Sequence, residues 1–403
     1  MNADAIPDFL AEQRDEAPEE LQHLVLEFEN YWERKLWHQL TDALGQFFSH
    51  PGSKPQRLSF YKVFILKFAD KINQLKLVDL ALKAATECKD DEERLAFLQG
   101  VAKKVDNENS QDALVYASVA VARVKLDLED MDGARKDLDT AERILDNFDS
   151  VETIVHAAFY DANANYYQVG FMPSIPSFSR AFDLLGAPSQ RKMDFAAYYR
   201  NALLYLACID INSLTPQERH RRALHLSIAA LVSDTIYNFG ELLLHPILDA
   251  LKGTQDEWFR DLLFAFNRGD LQGFEALSAR MRSKPLLSEN AGHLRQKIYL
   301  AALTEAVFRR PPHDRAMSFT DIAQETKVRP NEIEHLIMKA LSLGLLRGNI
   351  DQVDEVAHIT WVQPKVLDMK QIGNMRQRLL DWDSQVNQLG NWIENAGGDV
   401  WAA

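Results

Sequence analysis

The chain has 403 residues, 46% hydrophobic and 26% charged, which is enough apolar material for two or three packed units of about 150 residues each. Asp and Glu number 59 against 45 Lys and Arg, a net charge of -14, and this counts against a protein whose main task is to neutralise phosphates. The two cysteines, Cys88 and Cys208, are too few for a disulfide framework and fit a reducing compartment.

The acidic start MNADAIPDFLAEQRDEAPEE holds no apolar stretch of signal-peptide length, and no segment reaches the roughly 18 apolar residues of a membrane span. The expected compartments are cytoplasm and nucleus. Leu21, Leu24, Val25, Phe28, Tyr31 and Trp32 recur three or four apart and predict one helix face. Pro51, Gly52 and Pro55 then break the chain. The next helix is expected over Arg57 to Lys71, with Phe60, Val63, Phe64, Lys67 and Phe68 on one side.

Helices then come in pairs. Ala113–Leu128 is rich in small residues, turns at Glu129–Asp132 and leads into Gly133–Phe148. Val151–Val169 ends at Gly170 and Pro173, with Ile175–Leu185 returning. A third pair is expected from Asp194–Ile211 and Pro216–Val232, with Thr215 as N-cap and Pro216 at the first helical position. Starts at Ala113, Val151 and Asp194 lie about 40 residues apart, the range of helical-hairpin repeats. Such hairpins bury a continuous core only when stacked. The expected fold class is mainly α: a degenerate, tetratricopeptide-like superhelix, with a globular bundle as the alternative. Further on, Phe259–Phe266 leads through the tight turn Asn267–Asp270 into Leu271–Met281. A last long helix, Gly292–Phe308, stops before Pro311 and Pro312.

The pattern then changes. Thr320 is placed as N-cap of a short helix, Asp321–Thr326. Asn331 and Glu334 resemble a capping box opening a helix to Leu343, with Ile333, Leu336, Ile337, Ala340 and Leu341 on its apolar face and Gly344 as left-handed cap. Strands follow at Leu345–Ile350 and Val356–Trp361, around the acidic turn Asp351–Glu355. Helix, turn, helix, strand, turn, strand is a winged helix. One more helix runs from Pro364 to Gly397 and Gly398. On it Ile372, Met375, Leu379, Trp382, Val386, Leu389 and Ile393 form a heptad seam over roughly 40 Å. Its length and terminal position favour other chains as partners over its own body. The expected domains are a helical-repeat solenoid over 1–235, a second module over 236–365 (helical part 236–312, winged helix 313–365) and an assembly helix over 366–403.

A search for chemistry returns little. Neither G-x-x-x-x-G-K nor G-x-G-x-x-G occurs, nor H-E-x-x-H, nor a cysteine cluster. His220 and His225 lie about 140° apart on a helix, a poor ligand pair. Asp127–Gly133 fails as a calcium loop, because Leu128 and Asp139 would fall at the first and twelfth positions. Asp90–Glu93 reads as the solvated first turn of a helix. Arg219-His220-Arg221-Arg222, the one basic cluster, reads as a solvated helix face. No catalytic residue, cofactor or metal is expected, and the chain is taken as a non-enzyme.

Three uses of the winged helix compete. DNA reading is disfavoured by Glu332 and Glu334 on the second helix and by Asp351, Asp354 and Glu355 on the wing, which repel phosphates. Association through Val356–Trp361 as an exposed edge strand is favoured over a purely structural cap.

The order of helical repeats and then SFTDIAQETKVRPNEIEHLIMKALSLGLLRGNIDQVDEVAHITWVQPKVLD resembles the PCI domain family. That family is shared by the proteasome lid, the COP9 signalosome and eukaryotic translation initiation factor three. The stretches ALSLGLLRGNIDQVDE, HITWVQPKVL and NFGELLLHPILDAL narrow the resemblance to PCI subunits of the 26S proteasome lid. The resemblance implies a non-catalytic scaffold in a hetero-oligomer, supporting lid assembly and ubiquitin-dependent degradation. It also implies lateral contact with other PCI subunits through Val356, His358, Thr360 and Trp361. A helical bundle shared with the lid's deubiquitinating pair would take Ile372, Met375, Leu379, Trp382, Val386, Leu389 and Ile393. The alternatives are a signalosome or initiation-factor scaffold, or a nucleic-acid-binding PCI protein, which would need a basic winged helix. No nucleic acid and no membrane are expected as partners.

Overall fold

The computed structural model describes residues 5–107, 110–148, 151–168, 194–282, 284–311, 314–364 and 369–401. They are predominantly helical, with helical repeats first, then a winged helix and a C-terminal helix. Two compact units, Met1–Ser213 and Leu214–Ala403, divide the chain. The division falls before the expected boundary at 235/236. Among the described residues no helix is long and apolar enough to cross a membrane.

In the first unit, Glu19–Glu33 buries Leu21, Leu24, Val25 and Phe28, as their spacing requires. The single helix expected over Arg57–Lys71 is instead a series of short turns. An α-helical piece Lys54–Ser59 leads into a π-helical Phe60–Phe64, then into 3-10 turns at Ile65–Lys67 and Ala69–Lys71. Tertiary packing overrides backbone regularity here. Phe60, Phe64 and Phe68 are all buried and join Phe28, Phe47 and Trp32 in edge-to-face, tilted and stacked ring contacts at 5.0–6.5 Å. Arg57, nearly buried, is satisfied by the Ser53 hydroxyl and the His50 carbonyl, both at 3.0 Å.

Helix Gln111–Asp127 packs against Gln74–Ala85, Asp91–Val105, Met131–Leu145 and Thr153–Gln168. Its many small residues explain this, because Ala113, Ala117, Ala120 and Ala122 let neighbours approach on several sides. The segment that failed as a calcium loop is a turn: Glu129 takes a left-handed φ of 63°, and the Asp130 carboxylate accepts from the Gly133 N–H at 3.0 Å. The returning helix expected at Ile175–Leu185 lies outside the described residues.

The expected pair Asp194–Ile211 and Pro216–Val232 is divided between the two units. Phe195–Cys208 packs on Thr153–Gln168 within the first unit. Pro216–Val232 packs within the second on Pro246–Leu251, Glu257–Arg268 and Ala291–Arg309. Thr215 does cap it, its hydroxyl accepting from the Glu218 N–H at 3.3 Å. Its other end is held by Lys297, fully buried, whose ammonium donates to the carbonyls of Ala230, Leu231 and Ser233 at 2.8, 3.1 and 2.7 Å. Gly269 ends Glu257–Arg268 at φ 64°, in the expected turn, with the backbone of Ala302 directly beside it. Asp270 then caps Leu271–Met281.

Candidate protein interface

The winged helix opens with a strand that sequence periodicity missed. β1 (Ala316–Ser318), β2 (Leu346–Asp351) and β3 (Val356–Val362) form an antiparallel sheet in the order β1-β3-β2. Val356–Trp361 is therefore the central strand and not an exposed edge, because β1 pairs Ala316 with His358 and Ser318 with Val356. The edges are β1 and β2.

Two cap assignments also change. Ser318, not Thr320, caps the first helix, Phe319–Thr326, accepting from the Asp321 N–H at 3.1 Å. The second helix, Pro330–Ser342, begins at Pro330 with no side-chain cap, so Asn331 and Glu334 form no capping box. Proline at the first turn supplies the start instead. Glu334 accepts from Gln352 at 3.3 Å, tying the wing to this helix. Ile333, Ile337 and Ala340 are buried as expected, and Gly344 adopts φ 69°.

One face of the sheet covers the core through Met317, Leu346, Ala357, Ile359 and Val362. Its outer face carries Ala316, Asn349, Asp351, His358 and Thr360, all exposed. A bulge places a further residue there. The register shifts between Arg347 and Gly348, so Gly348 pairs with Ile359 and Arg347 with Trp361, leaving Thr360 without a partner across the ladder. The extra residue resets the alternation of side chains. Val362 turns inward and Trp361 outward, where the Arg347 guanidinium lies 4.7 Å over its ring. The Thr360 hydroxyl donates to the Arg347 carbonyl at 3.1 Å. Gly348 permits this crossing, since a Cβ there would run into the His358 carbonyl. Thus His358 and Thr360 are exposed, Val356 and Trp361 are half-buried, and all four share the outer face.

The wing itself is closed by the Asp351 carboxylate, which accepts from the N–H groups of Val353 and Asp354 at 3.0 and 3.1 Å.

The C-terminal helix runs Met369–Trp401. It continues through Gly397 and Gly398, which were expected to end it; glycine in a helix costs only about 1 kcal/mol. Ile372, Met375, Leu379, Trp382, Val386, Leu389 and Ile393 are all exposed, Leu379 by 58% and Trp382 by 64%. They therefore do not fold back onto the chain's own core. Leu380 and Trp392, off the heptad seam, are exposed as well.

Elsewhere, charged clusters are engaged locally. His220 faces the Asp256 carboxylate at 3.3 Å and the Ala250 carbonyl at 3.5 Å, and Arg222 pairs with Glu218 at 3.1 Å. His225 is buried, and burial with Arg221 and Arg222 nearby pushes its pKa down to about 4. In the acidic run, Asp91 meets Arg94 at 3.2 Å and Glu93 meets Lys62 at 3.6 Å. Among the described residues no group of three or more His, Cys, Asp or Glu could hold a metal.

Residues 24–171 and 179–263 match the family model for PSD13 N-terminal repeats, 274–361 the PCI domain and 365–397 the Rpn9 C-terminal helix. The chain is 43% identical to the "Probable 26S proteasome regulatory subunit rpn9" of Schizosaccharomyces pombe, covering 98% of this chain and 97% of that one. It is 34% identical to the 26S proteasome non-ATPase regulatory subunit 13 of Dictyostelium discoideum, over 92% of each. COP9 signalosome complex subunit 7 of Arabidopsis thaliana matches at 27% over only 39% of this chain. Subunit M of eukaryotic translation initiation factor 3 from Aspergillus clavatus matches at 24% over 50%. The signalosome and initiation-factor readings thus rest on partial likeness, and the proteasome reading on nearly the whole chain.

Proposed function

From the premise that this chain belongs to the Rpn9 and non-ATPase regulatory subunit 13 family of the 26S proteasome, we propose that it is a non-catalytic scaffold subunit of the regulatory particle lid. In that role it supports lid assembly and, through it, ubiquitin-dependent degradation. The repeats brace the complex, the winged helix makes a lateral contact, and the C-terminal helix enters a bundle of helices from other subunits.

The observation that carries this reading is the uncovered seam of the C-terminal helix. Seven apolar residues at heptad spacing stand in water along Met369–Trp401. Fully covering a side chain of this kind is worth about 1.5–3 kcal/mol, so the seam favours association strongly. The partners we assign to it are the deubiquitinating pair and the PCI subunits of the lid. The lateral contact falls on Val356, His358, Thr360 and Trp361, now as members of a sheet face. Nucleic acid is not a partner in this reading, since the turn of the wing carries Asp351, Asp354 and Glu355 and no Lys or Arg. The complex works in cytoplasm and nucleus.

Native affinity purification through a tag at the N-terminus, followed by mass spectrometry, tests the assignment. The expected result is stoichiometric recovery of proteasome regulatory subunits. Recovery of signalosome or initiation-factor subunits, or of the chain alone, would overturn it.

A further inference from the structure

The outer face of the winged-helix sheet holds one cation without a counter-charge. Arg347 makes no ion pair and no guanidinium hydrogen bond among the described residues. Its Cζ lies over the Trp361 ring, 4.7 Å from the centroid. The ring contact holds the guanidinium while its N–H groups bond to no described residue, so they can receive a bidentate carboxylate. The acidic wing does not reach it along the strand: Asp351 is four residues away on β2, about 13 Å at 3.4 Å per residue.

We propose that Arg347, held on Trp361 by the bulge at Thr360, receives a single Asp or Glu side chain from the neighbouring subunit that covers this face. The inference rests on the reading that the face is a lateral contact, and it names the chemistry of the occupant. A face covered by apolar surface alone would strip water from an unpaired guanidinium, which is strongly unfavourable. A carboxylate on the covering surface would satisfy both the charge and the N–H groups. Arginine and tryptophan are also the residue types that most often dominate interface energetics. The Thr360 hydroxyl on the Arg347 carbonyl secures the backbone beneath the pair.

Two measurements on the full chain in its assembled complex test this. In the first, differently tagged wild-type and variant chains compete for incorporation. Arg347→Met should fall about tenfold against wild type, as expected for loss of a charge-assisted pair, while the free variant melts like wild type because the side chain is exposed. In the second, Arg347→Lys supplies an amine at the same place, and a carbodiimide should couple it to an Asp or Glu of another subunit, identified by peptide mass spectrometry. If Arg347→Met incorporates normally while His358→Asp does not, the face is a contact but the carboxylate receptor is wrong. Coupling only to carboxylates of the same chain also overturns it. If Arg347→Met, His358→Asp and Trp361→Ala all incorporate normally, the lateral contact itself fails and the inference with it.

Discussion

Lys297 donates to the carbonyl of Ser233 at 2.7 Å across 64 residues of sequence, and with Ala230 and Leu231 it closes the end of helix Pro216–Val232. The last carbonyls of a helix have no partner inside it, and here one buried side chain supplies all three. The clasp ties Pro216–Val232 to Ala291–Arg309 within the second unit.

Lys297→Met should therefore lower the stability of the second unit by about 2–4 kcal/mol at pH 7, since three buried acceptors lose a charged donor. Burial pulls the Lys297 pKa down to about 7, with Asp234 opposing. The unfolded chain keeps this proton up to about 10.4, so it binds more protons than the folded chain between pH 7 and 10. Stability should rise across that window in the wild type and lose this slope in the variant. Urea titrations at pH 7, 8.5 and 10 read both effects.

His225 sets the acid limb. Its folded pKa of about 4 lies below the ordinary value of 6.5, so the unfolded chain binds more protons between the two. Stability falls as pH drops from 6.5 to 4, by roughly 2–3 kcal/mol from this group. His225→Gln should flatten that part of the curve, measured as the urea midpoint at pH 4.5 against 7. An unchanged acid limb would assign the loss to other groups.

Gly348→Ala would set a Cβ against the His358 carbonyl. The strand crossing must open, and the bulge that turns Trp361 outward goes with it. We expect a loss of about 1–3 kcal/mol in thermal unfolding, in the range for overpacking, together with a shift in tryptophan fluorescence. A wild-type melt would show that β2 and β3 can shift apart at no cost.

Leu379→Asp with Trp382→Asp should leave the free chain within about 0.5 kcal/mol of wild type, because both side chains already face water. Incorporation into the complex should fall sharply, since each carboxylate would be buried among apolar side chains without a partner. Normal incorporation of the double variant in a tagged pull-down would remove the helix from the assembly mechanism.

Much of this was legible in the residues. Thr215 before Pro216, Gly344 after the second helix of the winged-helix module and the three-four spacing from Ile372 to Ile393 are local signals, and local physics decides them. What escaped depends on pairing or on distance. β1 has only three residues, too few to show a period, and without it Val356–Trp361 looks like an edge. Ser318 and Thr320 are both good caps, and only the path of β1 into the helix chooses between them. The bulge is a relation between Arg347 and Trp361 that neither strand announces. The run Phe60–Phe68 has the spacing of a plain helix, yet the rings of Phe28, Phe47 and Trp32 reshape its backbone.

The bare seam of the C-terminal helix has a consequence for supply inside the cell. On the assembly role proposed above, a copy made in excess keeps Leu379, Trp382 and their neighbours in water, an apolar stripe of the kind that favours aggregation.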